Sequence, residues 1–127
     1  MPLNEEIEFV KNYFSLRKER DGEKIKLEIR IENAEKFKII PISLQILVEN
    51  ALKHNIASHD RPLEINIYRE GGSIIVANIM NSKTVLCNPS GIGLVNLRER
   101  IKLMTGKEIV INQENSRFIV KLPLENN

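Results

Sequence analysis

Three polar side chains, Asn50, Lys53 and His54, stand at i, i+3 and i+4 in the stretch Leu44-Gln45-Ile46-Leu47-Val48-Glu49-Asn50-Ala51-Leu52-Lys53-His54. On a helix that spacing gathers them on one face, while Leu44, Leu47, Val48, Ala51 and Leu52 turn toward a core. An amide oxygen beside an ammonium and an imidazole suits a phosphate group and its hard divalent ion, because Asn supplies a neutral oxygen ligand and Lys neutralises charge. A solvated polar face fits the same trio. A second cluster, Ser90-Gly91-Ile92-Gly93-Leu94, joins a loop to a helix. Glycines there let backbone approach a ligand, and unpaired N–H groups at a helix start attract anions; equally, two glycines simply make a pliable helix start. A third feature is Asn78, which leaves the apolar run Ile74-Ile75-Val76-Ala77. There it either reads the edge of a base in a pocket or forms a turn.

Other chemistries fit poorly. His54 and His59 are the only histidines, and neither zinc-site spacing nor a nucleophile elbow is present. Cys87 stands without the neighbouring bases that activate a thiolate, and being the sole cysteine it excludes an internal disulfide and fits a reducing, cytoplasmic setting. Arg98 and Arg100 read as part of a solvated helix face.

The elements that must position these groups follow from period and punctuation. Residues 3–20 carry Leu3, Ile7, Val10, Phe14 and Leu16 at mostly helical spacing, with acids in the first turn and bases in the last. Asp21-Gly22 ends that helix, and Ile25, Leu27, Ile29 and Ile31 then alternate with charged residues as a half-buried strand does. Pro41 suits the first turn of a helix over residues 42–57. Residues 63–68 and 73–79 read as strands joined by the hairpin turn Glu70-Gly71-Gly72. A flexible loop is expected over 80–90. The next helix carries Leu94, Leu97, Ile101 and Met104 at apolar spacing and stops at Thr105-Gly106. Two strands, 108–112 and 117–122, close the chain, and one more short strand is allowed near residues 33–37. This order predicts a mixed sheet with helices packed on one face.

With 127 residues, 42% hydrophobic and 28% charged, the chain fits one globular domain. Nineteen bases against seventeen acids give a net charge of +2 with no basic run longer than two, which does not point to nucleic acid or to direct membrane contact. Apolar runs stop well short of the roughly 20 residues that span a bilayer.

Taken together and in order, these pieces resemble the ATP-binding catalytic domain of histidine kinases, in the superfamily of gyrase, the ninety-kilodalton heat-shock chaperone and MutL, and within it the LytS/YehU-type sensor kinases of two-component signal transduction. Leu47-Val48-Glu49-Asn50-Ala51-Leu52-Lys53-His54 looks like the family's N-box. Gly91-Ile92-Gly93-Leu94-Val95-Asn96-Leu97-Arg98-Glu99-Arg100-Ile101 looks like its second glycine box and following helix. Glu5-Glu6-Ile7-Glu8-Phe9-Val10-Lys11-Asn12-Tyr13-Phe14 is similar to the segment joining dimerisation helices to catalytic domain, so residues 1–20 are expected to be a linker helix and 21–127 the ATP-binding domain.

The resemblance implies a two-layer α/β sandwich of the Bergerat type, with ATP and Mg2+ as cofactors. Asn50 would hold the magnesium, Lys53 would contact the phosphates, His54 would line the ribose or phosphate side, and Gly91 and Gly93 would let a lid close. Asn78 would stand where the family has an adenine-reading aspartate. Glu49, beside Asn50, is a candidate to orient the metal's waters or the acceptor, and reads most simply as a helix-surface carboxylate. Two departures stand out. Asn78-Ile79-Met80-Asn81-Ser82 lacks the Asp and both glycines of the first glycine box, and the family's accepting histidine is absent. In the hydrolytic members of the superfamily a general-base Glu precedes the Asn by one turn; Ile46 occupies that position here. The expectation is a cytoplasmic catalytic module, soluble or the cytoplasmic part of a membrane-anchored sensor. It would phosphorylate a histidine on a dimerisation domain, in a homodimeric full-length kinase that feeds a response regulator. The alternatives are a degenerate interaction or dimerisation domain of the same fold and an anti-sigma-factor-like serine kinase, which the linker helix fits poorly.

Overall fold

A computed structural model of the chain describes residues 1–54, 62–79, 92–114 and 116–126. Helix α1 (Leu3–Asp21) leads to strand β1 (Ile25–Arg30), a short β2 (Phe37–Lys38) and helix α2 (Ser43–His54). Strands β3 (Leu63–Glu70) and β4 (Ser73–Ile79) follow, then α3 (Ile92–Thr105), β5 (Val110–Glu114), β6 (Arg117–Pro123) and β7 (Glu125–Asn126).

Five strands form one sheet in the order β1-β3-β4-β6-β5. Only β1 and β3 run parallel, Ile25 opposite Leu63; the other neighbours are antiparallel. A parallel pair needs a crossover, and α2 lies on it. The alternation of β3 sorts its side chains: Leu63, Ile65 and Ile67 are buried while Glu64 is exposed. Leu63, Ile65, Ile67, Ile74, Val76, Val120 and Leu122 share one core with Leu3, Val10, Leu44, Val48, Leu94 and Leu97 of the three helices. The sheet is therefore mixed and the helices pack on one face, as the element order predicted. At about 25 cal/mol per Å2, burial on this shared face is what holds the short helices in place.

Gly71 (φ +59) makes the β3–β4 turn, and Gly106 (φ +74) ends α3 with its N–H on the Lys102 carbonyl at 2.9 Å. Several local readings change. Pro41 lies outside α2, in a turn that continues through Ile42 (φ +72). The region near 33–37 is a 3-10 turn (Ala34–Lys36) leading into β2, which pairs with β7 rather than with the main sheet. The strand placed at 108–112 runs two residues later, as Val110–Glu114. Leu16 and Met104, counted in apolar stripes, are exposed, because the stripes of α1 and α3 are complete without them. The loop expected over 80–90, with Cys87, and residues 55–57 of the predicted second helix lie outside the described residues. Among the described residues no helix is long and apolar enough to cross a membrane.

Candidate functional site

Helix α2 is the centre of the site. It touches α1, α3, β3 and β4, and Leu44, Leu47, Val48, Ala51 and Leu52 are all buried as the heptad-like spacing requires. With that stripe fixed inward, one continuous helix carries Asn50, Lys53 and His54 together. Asn50 is half-buried and Lys53 exposed, so an amide oxygen near the packed interior sits a turn away from a solvated ammonium. Glu49 is half-buried and accepts a hydrogen bond from the Gln45 Nε2 at 3.1 Å, which steadies its carboxylate along the helix.

Asn78 occupies the penultimate position of β4. It faces Ile65 across β3 and Phe118 across β6, and directly opposed residues share a sheet face. Asn78 thus points to the helix-covered side and is 3% exposed. Its Nδ2 donates to the Ile79 carbonyl at 3.1 Å. A cleft of about 410 Å3 lined by Glu64, Asn66, Asn78, Ile79 and Arg117 lies at the other, uncovered face of the sheet, to which Glu64, Asn66, Ile79 and Arg117 alternate. On the helix-covered side Asn78 is a buried polar group among the apolar Ile65, Val76 and Phe118. Gly93 stands in the first turn of α3; Gly91 and His59 lie outside the described residues.

Two residues take roles that local pattern did not assign. Glu6 is 1% exposed, and its Oε1 accepts the Ile42 N–H at 3.0 Å while its Oε2 accepts those of Leu44 at 2.9 Å and Gln45 at 3.3 Å. It is not only an acid in the first turn of its own helix; it caps another. The signal was present: Glu6 follows Leu3 by three and precedes Val10 by four, inside the buried stripe of α1. Arg100 is the second correction. Its Nη2 donates to the Pro41 carbonyl at 2.6 Å, tying α3 to the lead-in of α2 rather than facing only solvent; Arg98 is exposed.

Three-dimensional comparison places this architecture. The cytoplasmic segment of histidine kinase QseC superposes with a TM-score of 0.67 at 16% identity, covering 100% of this chain and 77% of that one. The nucleotide-free catalytic domain of histidine kinase ThkA gives 0.62 at 18%, covering 100% and 97%, and the Acinetobacter baumannii histidine kinase AdeS 0.63 at 18%, covering 100% and 66%. The fold is that of histidine-kinase catalytic domains.

Sequence relatives narrow the class. Sensor histidine kinase YesM of Bacillus subtilis is 27% identical over 142 residues, 98% of this chain and 24% of the relative. Sensor protein LytS is 28% identical in Bacillus cereus, over 91% of this chain and 22% of the relative, and 27% in Enterococcus faecalis, over 98% and 25%. The chain is homologous over most of its length to sensor histidine kinases of the LytS/YesM type, and it spans about a quarter of the length of these relatives. No family model matches it.

Proposed function

We propose that the chain is the ATP-binding catalytic domain of a two-component sensor histidine kinase, transferring the γ-phosphoryl group of ATP to a histidine outside residues 1–127. The observation that carries this is the pairing of two elements in contact: α2, bearing Asn50 and Lys53, and β4, with a buried Asn78 next to its end. Residues 1–20 are then the connector from a dimerisation region and 21–127 the catalytic domain, with α1 seated on the same core.

In this reading Asn50 holds the magnesium ion through its neutral oxygen. The donor set fits: among the described residues no three His, Cys, Asp or Glu side chains form a metal cage, and magnesium commonly keeps waters and phosphate oxygens beside one or two protein ligands. When bound, the ion supplies charge neutralisation at the phosphates. The exposed Lys53 ammonium adds to that neutralisation from the protein side, with His54 beside it on the ribose or phosphate flank. Gly91 and Gly93 would leave room for the triphosphate beside α3, since a helix start attracts anions. Asn78 offers an amide to the adenine edge in place of the usual carboxylate, with Ile65 and Phe118 flanking it. Glu49, steadied by Gln45, orients water or the incoming acceptor. Such a site accelerates transfer by positioning and charge rather than by a covalent nucleophile. Ile46 in place of a general base disfavours hydrolysis.

The dimerisation and acceptor domain, a homodimeric full-length kinase, a response regulator and a cytoplasmic location belong to the same proposal. Calorimetric titration with a non-hydrolysable ATP analogue, with and without magnesium, tests it. Saturable, magnesium-dependent binding is expected, together with labelling of a separately produced histidine-acceptor domain. The sequence Asn78-Ile79-Met80-Asn81-Ser82, without glycine, supports a second reading: a degenerate interaction domain, in which millimolar analogue gives no heat of binding.

A further inference from the structure

Residues 40–45 are tied down from several directions. Ile42 holds φ +72, a left-handed conformation that a β-branched side chain disfavours. Strain of this kind persists only where surrounding structure over-determines it, and here two helices and a bond within the segment do so. From α1, the Glu6 carboxylate accepts the N–H groups of Ile42, Leu44 and Gln45. From α3, Arg100 donates to the carbonyl of Pro41. Within the segment, the Ser43 hydroxyl donates to the carbonyl of Ile40 at 2.6 Å. A carboxylate 1% exposed is tolerated there because three N–H groups and the positive end of α2 replace its water.

We propose that Glu6 is a positioning residue for Asn50: its carboxylate locks the start of α2 to α1, so that the placement of Asn50 follows the seating of α1. This rests on the reading of Asn50 as the magnesium ligand. The lever is short and stiff, since Asn50 lies six residues beyond Leu44, about 9 Å along an unbroken helix. Because the same turn is held by Arg100, a shift of α1 is also felt by α3, the helix that follows the glycine box. Substituting Glu6→Gln keeps size and shape, yet turns one acceptor oxygen into an NH2 group that faces an N–H donor, so one end of the lock becomes repulsive.

Two measurements on the full chain decide the matter, made with Glu6→Gln and, as a second variant that relaxes the left-handed turn and keeps the protein folded, with Glu6→Gln/Ile42→Gly. Amide hydrogen exchange, followed without nucleotide, is expected to quicken at least tenfold from Leu44 through Asn50 and in the first turns of α3. Affinity for a non-hydrolysable ATP analogue with magnesium is expected to fall at least tenfold at a temperature where circular dichroism shows the variant folded. Exchange that quickens only at Leu44 and Gln45, with Asn50 as protected as in the parent protein, or an unchanged Kd in the folded variant, would overturn the proposal. Failure of the parent protein itself to bind the analogue overturns the ATP reading instead, and the exchange pattern still decides whether Glu6 governs Asn50.

Discussion

At its N-terminal end α2 meets a buried carboxylate, a left-handed isoleucine and an arginine from a neighbouring helix, whereas its C-terminal half carries the half-buried Asn50 and the exposed Lys53. The first end is closed: Glu6 already occupies the N–H groups that could have drawn a phosphate. On the proposed reading an anion is held by side chains at the other end of α2 or by the start of α3, so stability and chemistry would be separated along a single helix, and substitutions at the two ends should report on different measurements.

The largest expected effect is at the closed end. Glu6→Ala leaves three N–H groups without their acceptor, a loss of about 4 kcal/mol on the scale of buried bonds to a charged group, read as a lower midpoint in urea unfolding. At the open end, Asn50→Ala should weaken magnesium-dependent binding of the ATP analogue roughly 100-fold, about 2.7 kcal/mol, with the unfolding midpoint unmoved; unchanged affinity in the folded variant would remove Asn50 from the site. Lys53→Ala, exposed and a turn away, should cost roughly tenfold in affinity, about 1.4 kcal/mol, and less at high salt because its charge is screened. The smallest effect has the opposite sign. Ile42→Gly removes left-handed strain from a half-exposed residue and should stabilise the protein by about 1 kcal/mol. A destabilised Ile42→Gly would mean that the isoleucine side chain, not its backbone, matters at the closed end.

The open end was legible in the sequence because its information is local. The apolar spacing of Leu44, Leu47, Val48, Ala51 and Leu52 dictates which way the helix turns, and that alone puts Asn50 and Lys53 on one side. Alternation in β3 and β4 likewise placed Asn78 at a strand end, and the partner register adds that it faces the helices. Their chemical roles came from resemblance rather than from spacing. The closed end was not legible in the same way. Glu6 and its partners are 36 to 39 residues apart, and a first-turn glutamate has a ready local explanation in the helix dipole. Pro41 was drawn into the helix by its general preference for a first turn, but the left-handed Ile42 separates it from Ser43. Strands of two residues, such as β2 and β7, are too short to show a period at all.

Lys38 pairs on one side with Glu125 and on the other with Pro2, and the N–H of Ile39 reaches the Met1 carbonyl at 2.9 Å. Two strand spacings, about 10 Å, therefore separate Pro2 from Glu125. Tension applied between these two points would load the bonds of that small seam first. Pulling it apart would free the beginning of α1 before the load passed through Leu124, whose N–H is bonded to the Gly72 carbonyl at 2.9 Å, into β6 and the five-stranded sheet.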